Sequence, residues 1–295
     1  MENLEQLARE YLADTRARGL SAHTTKTYGE SLKLFLTFCR ERQVSTVESL
    51  DLRLLGAYRN DLMDRYTPGG AHTRLRSLRA FCRYLEDQEI VTANPFRRFR
   101  MPRVPQEQQA VVTVEDFEAL ARAAALTEKP LRDQAIIALF FDTGLRVSEL
   151  CGVRHEDILA SEGGVMVRGK GGKDRIVPVS RPVLRRIQRY VRDERPASPL
   201  RQVFLTGPEK AIDRGAVKQM LERVFARVGL KAKGCHAFRR GFAVTFIRNG
   251  GNVLVLQRIL GHTTLTMSSR YAQMDFDVIK EAHLMASPVT GRRPR

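Results

Sequence analysis

The sequence predicts a mainly α-helical chain with a small antiparallel β-sheet, arranged as an N-terminal four-helix domain and a C-terminal mixed α/β domain. Three observations carry that reading. Apolar residues recur at helical spacing through most of the chain. Two β-favourable runs flank a glycine-rich turn between residues 165 and 179. Asn94-Pro95 and the arginine- and proline-rich stretch after it interrupt the helical pattern, and a chain of 295 residues is long enough for two cores.

In the first domain, Leu4, Leu7, Ala8, Tyr11 and Leu12 form one helical face, which Gly19 ends before Ser21 caps the next helix. Tyr28, Leu32, Phe35, Leu36 and Cys39 form the second face; Leu52, Leu55, Tyr58 and Leu62 form the third. Thr67-Pro-Gly-Gly70 reads as a turn. The fourth helix, from about Ala71, turns Leu75, Leu78, Phe81, Cys82 and Leu85 inward. Its Arg74, Arg76, Arg79 and Arg83 are either contacts to phosphates or a solvated face. Residues 1–93 are therefore assigned to this domain and residues 94–110 to an extended basic linker, kept extended by Pro102 and Pro105.

The second domain opens with Thr113 and Asp116 as a helix cap, followed by Phe117, Leu120 and Ala121 on one face. Ala135-Ile-Ile-Ala-Leu-Phe-Phe141 is apolar all round and marks a central buried helix, ended by Thr143-Gly144. Arg146 opens the next helix, and Glu149 follows at i+3, where it can orient the guanidinium. Val165–Arg168 and Arg175–Val179 read as a hairpin whose glycine-rich tip carries Lys170 and Lys173. The tip lacks the spacing of a nucleotide-binding phosphate loop and precedes a strand rather than a helix. A basic amphipathic helix follows from Arg181 to about Asp193, then a loop over 195–213, then a helix over Val217–Val228. His236 and Arg239, three apart, share a helix face and can grip one anion. Gly261 breaks a further apolar helix beside His262, and Tyr271 stands among polar neighbours. Phe276, Ile279, His283 and Leu284 give a last amphipathic helix over 275–286.

Composition bounds the chemistry. A formal net charge of +17 points to a polyanionic partner, a property shared with ribosomal and membrane-surface proteins. The four scattered cysteines suit buried thiols in a reducing compartment, so the expected location is cytoplasmic. No leader pattern opens the sequence and no apolar run reaches the roughly 18 residues of a membrane span. Cys151 with His155, and Cys235 with His236, lack the second half of a zinc site, so no metal is expected.

Arg146, Lys170, His236, Arg239, His262 and Tyr271, in that order, resemble the catalytic pattern of the tyrosine site-specific recombinases. The segments that carry the resemblance are Thr143-Gly-Leu-Arg-Val-Ser-Glu-Leu150, Gly169-Lys-Gly171, His236-x-x-Arg239, Leu260-Gly-His262 and Tyr271. The N-terminal half, with Gly19-Leu-Ser21 and Asn94-Pro95, is similar to the core-binding domain of the Xer-type branch. Arg240, where many relatives carry histidine, and Arg270-Tyr-Ala-Gln273 depart from the common pattern without removing a catalytic group.

The resemblance implies a C-shaped clamp around DNA, a catalytic domain over 111–274, and a docking helix with a basic tail over 275–295. It implies that Tyr271 attacks a phosphodiester to give a 3′-phosphotyrosyl link, without metal, nucleotide or other cofactor. Arg146 and Arg239 would hold the nonbridging oxygens and Lys170, favoured over Lys173 by motif position, would protonate the leaving oxygen. His236 would assist proton transfer, His262 would donate to a phosphate oxygen, and Glu149 would position Arg146. Arg74, Arg76, Arg79, Lys173 and Arg240 would contact DNA. The implied partner is double-stranded DNA with a specific site, bound by a homo-tetramer or by a hetero-tetramer with a second recombinase, with strand exchange through a Holliday junction and no membrane involved. A relaxing type IB-like topoisomerase and a non-catalytic DNA-binding protein are the alternative readings.

Overall fold

The computed structural model describes residues 3–105, 109–169 and 174–261. The chain divides into two compact units, Met1–Glu107 and Gln108–Arg295. The first contains α1 (Leu4–Ala17), α2 (Ala22–Arg40), α3 (Leu52–Arg65) and α4 (Pro68–Asp87). Each starts at a side chain that accepts from its first-turn amides: Asn3, Ser21, Asp51 and Thr67. Their apolar faces meet around Tyr11, Phe35, Phe38, Tyr58 and Phe81, with ring pairs such as Phe35–Tyr58 at 5.0 Å between centroids.

Two local expectations in this unit are corrected. Thr67–Gly70 is the first turn of α4 rather than a separate turn, because Thr67 caps the helix and Pro68 occupies a position whose N–H has no intrahelical partner. The segment after Asn94 is not extended throughout. Pro95–Arg97 forms a 3-10 turn, with the Asn94 side chain accepting from the Phe96 amide at 2.9 Å. Phe96 is buried in the first core, and Phe99 and Met101 pack on it. Burying those apolar side chains outweighs the extended preference of the neighbouring prolines.

The second unit is built on α6 (Pro130–Thr143), preceded by α5 (Val114–Ala124), whose capping box joins Thr113 and Asp116. At the start of α6, the Glu194 carboxylate accepts from the amides of Leu131 and Arg132 at 2.9 and 3.0 Å. At its end Gly144 takes φ +62°, and a β-carbon there would lie 2.6 Å from Phe242 Cδ1. After α7 (Val147–Gly152) the chain forms β1 (Ile158–Leu159), β2 (Gly164–Val167) and β3 (Arg175–Pro178), antiparallel in that order. The register runs from Gly164 opposite Pro178 to Val167 opposite Arg175.

Next comes α8 (Arg181–Asp193), with Val183, Leu184, Ile187 and Tyr190 inward and Arg185, Arg186 and Arg189 outward. The stretch expected as loop instead contains a second hairpin, β4 (Leu205–Gly207) with β5 (Lys210–Ala211). It is anchored where the Leu205 amide donates to the buried Tyr190 hydroxyl at 3.2 Å. The unit continues with α9 (Arg214–Arg227), α10 (Cys235–Arg248) and α11 (Val253–Leu260). Helix α9 starts earlier than its apolar pattern because Asp213 caps it. Helix α6 packs against α5, α8 and α10, and its C-terminus lies beside Arg239 and Phe242 of α10. The hairpin tip and the helix expected over 275–286 lie outside the described residues. Among the described residues no helix is long and apolar enough to cross a membrane.

Candidate active site

Gly144 lets the chain leave α6 sharply, so that Arg146 arrives at the N-terminus of α7. Its amide donates to Glu149 Oε2 and its guanidinium to Glu149 Oε1, both at 2.8 Å. The side chain remains 37% exposed, which leaves guanidinium surface for an anion. Glu149 is nearly inaccessible and receives a second guanidinium: Arg175, on β3, donates to its two oxygens at 3.0 and 3.2 Å. Burial alone would push the Glu149 carboxyl up, but the donors from Arg175 and Arg146 outweigh it and hold the group below its ordinary range. One carboxylate thus serves two cations, and the trio keeps a net positive charge.

Arg239 lies one turn along α10 from His236 and is buried. Its guanidinium donates to the Gly144 carbonyl at 2.7 Å and to the Leu260 carbonyl at 2.6 Å, tying the end of α6 to the end of α11. His236 is exposed at the start of α10. Desolvation, followed by the positive charges of Arg239, Arg240 and Arg146, moves its ionisation below the ordinary histidine range. Arg239 is bonded to the Gly144 carbonyl, two residues before Arg146, and sits one turn from His236, so both guanidiniums lie near one imidazole although they come from separate helices.

The neutral imidazole is the form that accepts a proton, and the shift extends it to lower pH. If His236 takes the proton in the strand cleavage that the resemblance implies, cleavage should hold as pH falls through about 6.5, the ordinary histidine value, and decline only below it. A pH series of single-turnover rates checks this; an acid limb centred at or above that value counts against His236 as the acceptor. The linkage has the same sign. The unfolded chain takes up the proton first as pH falls, so His236 lowers native stability on acidification.

Of the remaining candidates, Lys170, Lys173, His262 and Tyr271 lie outside the described residues. Arg76 and Arg79 are exposed on α4. Arg74 is partly buried, stacked 3.7 Å over the Tyr66 ring, and donates to the Gly70 carbonyl. Arg240 donates to the Ala110 carbonyl at 2.8 Å and to the Gln109 side chain at 3.0 Å, so it straps residues 109–110 along α10. The sequence reading missed Arg175. Strand alternation puts it on the same face as the buried Val177 and Val179, and an arginine facing a core requires an anion. Among the described residues no three His, Cys, Asp or Glu side chains converge as a metal site.

Residues 110–277 match the phage integrase family, and residues 8–89 match the phage integrase N-terminal SAM-like domain. The chain belongs to the phage integrase family. Among its integrase relatives, tyrosine recombinase XerC of Myxococcus xanthus is 29% identical over 284 residues, covering 92% of this chain and 93% of that protein. The integrase fold is seen equally in solved structures. The Tn1549 transposon integrase in complex with a circular intermediate DNA aligns with a TM-score of 0.80 at 21% identity, over 95% of this chain and 98% of that one. A lambda integrase tetramer bound to a Holliday junction aligns with a TM-score of 0.73 at 18% identity, over 90% and 79% of the two chains.

Proposed function

We propose that the chain is a site-specific DNA recombinase that cuts and rejoins strands through a tyrosine. The observation that carries this reading is that Arg239, one turn from His236 on α10, binds the Gly144 carbonyl two residues before Arg146, with Glu149 orienting Arg146. That set offers two guanidiniums for the nonbridging oxygens of a phosphodiester and a neutral imidazole for a proton. Membership of the integrase family and the similarity to XerC support the same reaction.

In that reaction the Tyr271 hydroxyl oxygen attacks phosphorus and passes its proton towards His236. The bond from phosphorus to the 5′ oxygen breaks, and Lys170 supplies the proton that the departing oxygen needs. Arg146 and Arg239 stabilise the pentavalent phosphorus, with His262 as a further donor. The phosphotyrosyl ester conserves the energy of the broken bond, so attack by a 5′-hydroxyl of another strand reverses the step without metal or nucleotide. The recombinase acts in the cytoplasm as a homo-tetramer on two double-stranded sites, through a Holliday junction. Arg76, Arg79 and Lys173 contribute phosphate contacts, and Arg74 and Arg240 support the surfaces beside them. The lambda integrase tetramer supports this assembly.

The test is covalent capture. Sheared, nicked host DNA incubated with the protein in a metal chelator should yield denaturant-resistant adducts, with the nucleotide mapped by proteolysis and mass spectrometry to Tyr271. Adducts at another residue would remove Tyr271 as nucleophile; no adduct from any fragment pool would remove the recombinase reading.

A further inference from the structure

Arg175 makes three side-chain hydrogen bonds to groups outside its own sheet. Its NH1 and NH2 groups donate to the two Glu149 oxygens, and its Nε donates to the Ile259 carbonyl at 2.8 Å. The side chain is only 15% exposed, and an added β-carbon on Gly261 would sit 3.1 Å from its guanidinium carbon. So β3 holds the last turn of α11 by the same group with which it holds Glu149.

These bonds close a ring. From Gly144 the chain runs to Arg146, which binds Glu149; Glu149 binds Arg175; Arg175 binds Ile259; the next residue, Leu260, binds Arg239; and Arg239 binds Gly144. Both guanidiniums assigned to the phosphate are members. Arg146 is held through a carboxylate that Arg175 shares, and Arg239 through a carbonyl adjacent to the one Arg175 holds.

We propose that Arg175 is a positioning residue for the cleavage step, fixing Glu149 and the end of α11 so that Arg146 and Arg239 present a net positive, correctly spaced pair to the phosphate. The inference rests on the recombinase reading. Its physical content is twofold. Without Arg175, Glu149 is left with Arg146 as its one guanidinium partner in the ring, and the charge of the Arg146–Glu149–Arg175 trio falls from net positive to neutral. Without the Nε bond, the last turn of α11 loses its attachment to β3, and the carbonyl that orients Arg239 is free to shift.

The two parts separate in a mutant cycle. The substrate is a nicked duplex carrying a sequence recovered by covalent capture, and the readouts are single-turnover cleavage at saturating protein, duplex affinity by gel shift, and melting temperature. Arg175→Gln is expected to slow cleavage about 10- to 100-fold, the scale of a small misplacement at a reacting centre, with a much smaller change in affinity. Arg175→Lys, which keeps the charge without the three-way fork, should fall between that variant and the wild type. Adding Glu149→Gln to Arg175→Gln restores the net charge and should recover part of the lost rate, although each change alone slows the reaction.

A merely structural arginine predicts the opposite for the double variant, which would then be slower than either single one. That result overturns the proposal, as does an Arg175→Gln or Arg175→Lys protein that cleaves at the wild-type rate. If Arg175→Gln does not fold, the lysine variant decides: a reduced rate at unchanged affinity upholds the role, and a wild-type rate overturns it. Failure of the wild-type protein to cleave at all would instead count against the recombinase reading.

Discussion

Replacing Arg239 by lysine is expected to lower the single-turnover cleavage rate by about 10²- to 10³-fold, the usual consequence of removing one donor from a preorganised oxyanion site. The lysine keeps the charge, so the loss reports geometry. An ammonium at the end of a flexible stem cannot reproduce planar bonds to the Gly144 and Leu260 carbonyls, which now lie 2.7 and 2.6 Å from the two terminal nitrogens. One carbonyl is then left without its donor in a buried place, at a cost of about 1–3 kcal/mol of stability. Cleavage rates and urea midpoints measured on the same preparation separate the two effects. An Arg239→Lys protein that cuts as fast as the wild type would take Arg239 out of the site.

Gly241→Ala should produce the largest loss of stability among conservative changes near the site. On an open helix face this substitution stabilises by roughly 0.5–1 kcal/mol. At position 241 the new β-carbon would lie 2.2 Å from the Val112 carbonyl oxygen and 3.1 Å from Phe141 Cε2. The first of these atoms is backbone, so no rotamer change relieves the overlap, and the segment at 112 must move away from α10. That displacement strains the bond from the Val112 amide to the Ala237 carbonyl, the contacts of Arg240 with Ala110 and Gln109, and the Lys233 bond to the Val111 carbonyl. Overpacking of this kind costs about 1–3 kcal/mol or more, which reverses the helix-propensity gain. Because α10 also carries His236 and Arg239, cleavage should fall with stability. An alanine variant with a urea midpoint at or above that of the wild type would mean that the close approach is not maintained.

What the sequence reveals divides by range. Helix faces such as Leu75, Leu78, Phe81 and Leu85, and caps such as Thr113 with Asp116, are set by neighbours within one or two turns and are readable directly. The Arg146–Glu149 pair belongs to the same class, since i+3 spacing brings the groups together on any helix. The short strands β1 and β5 are too brief for alternation to register, and β4–β5 is stabilised by a remote Tyr190 hydroxyl that no local pattern announces. Phe96 illustrates a tertiary override: its prolines argue for an extended chain, and the first core takes its ring. Arg175 was missed for a related reason. Its anion, Glu149, and its carbonyl, Ile259, are distant in sequence, and the hairpin pattern that located the strand left the inward arginine unexplained.

Anions are usually received at the amino ends of helices, where amides converge and the macrodipole is positive. Arg239 instead joins the carboxyl ends of two helices: Gly144 terminates α6 and Leu260 is the last residue of α11. Those ends carry carbonyls without intrahelical partners and partial negative charge, which would repel a phosphate. By occupying one terminal carbonyl of each helix, the guanidinium neutralises both poles before any substrate arrives. In the proposed reaction Arg239 is thus an adaptor as well as a ligand: it would convert a junction of two helix ends, electrostatically unsuited to DNA, into a place where a phosphodiester can be held.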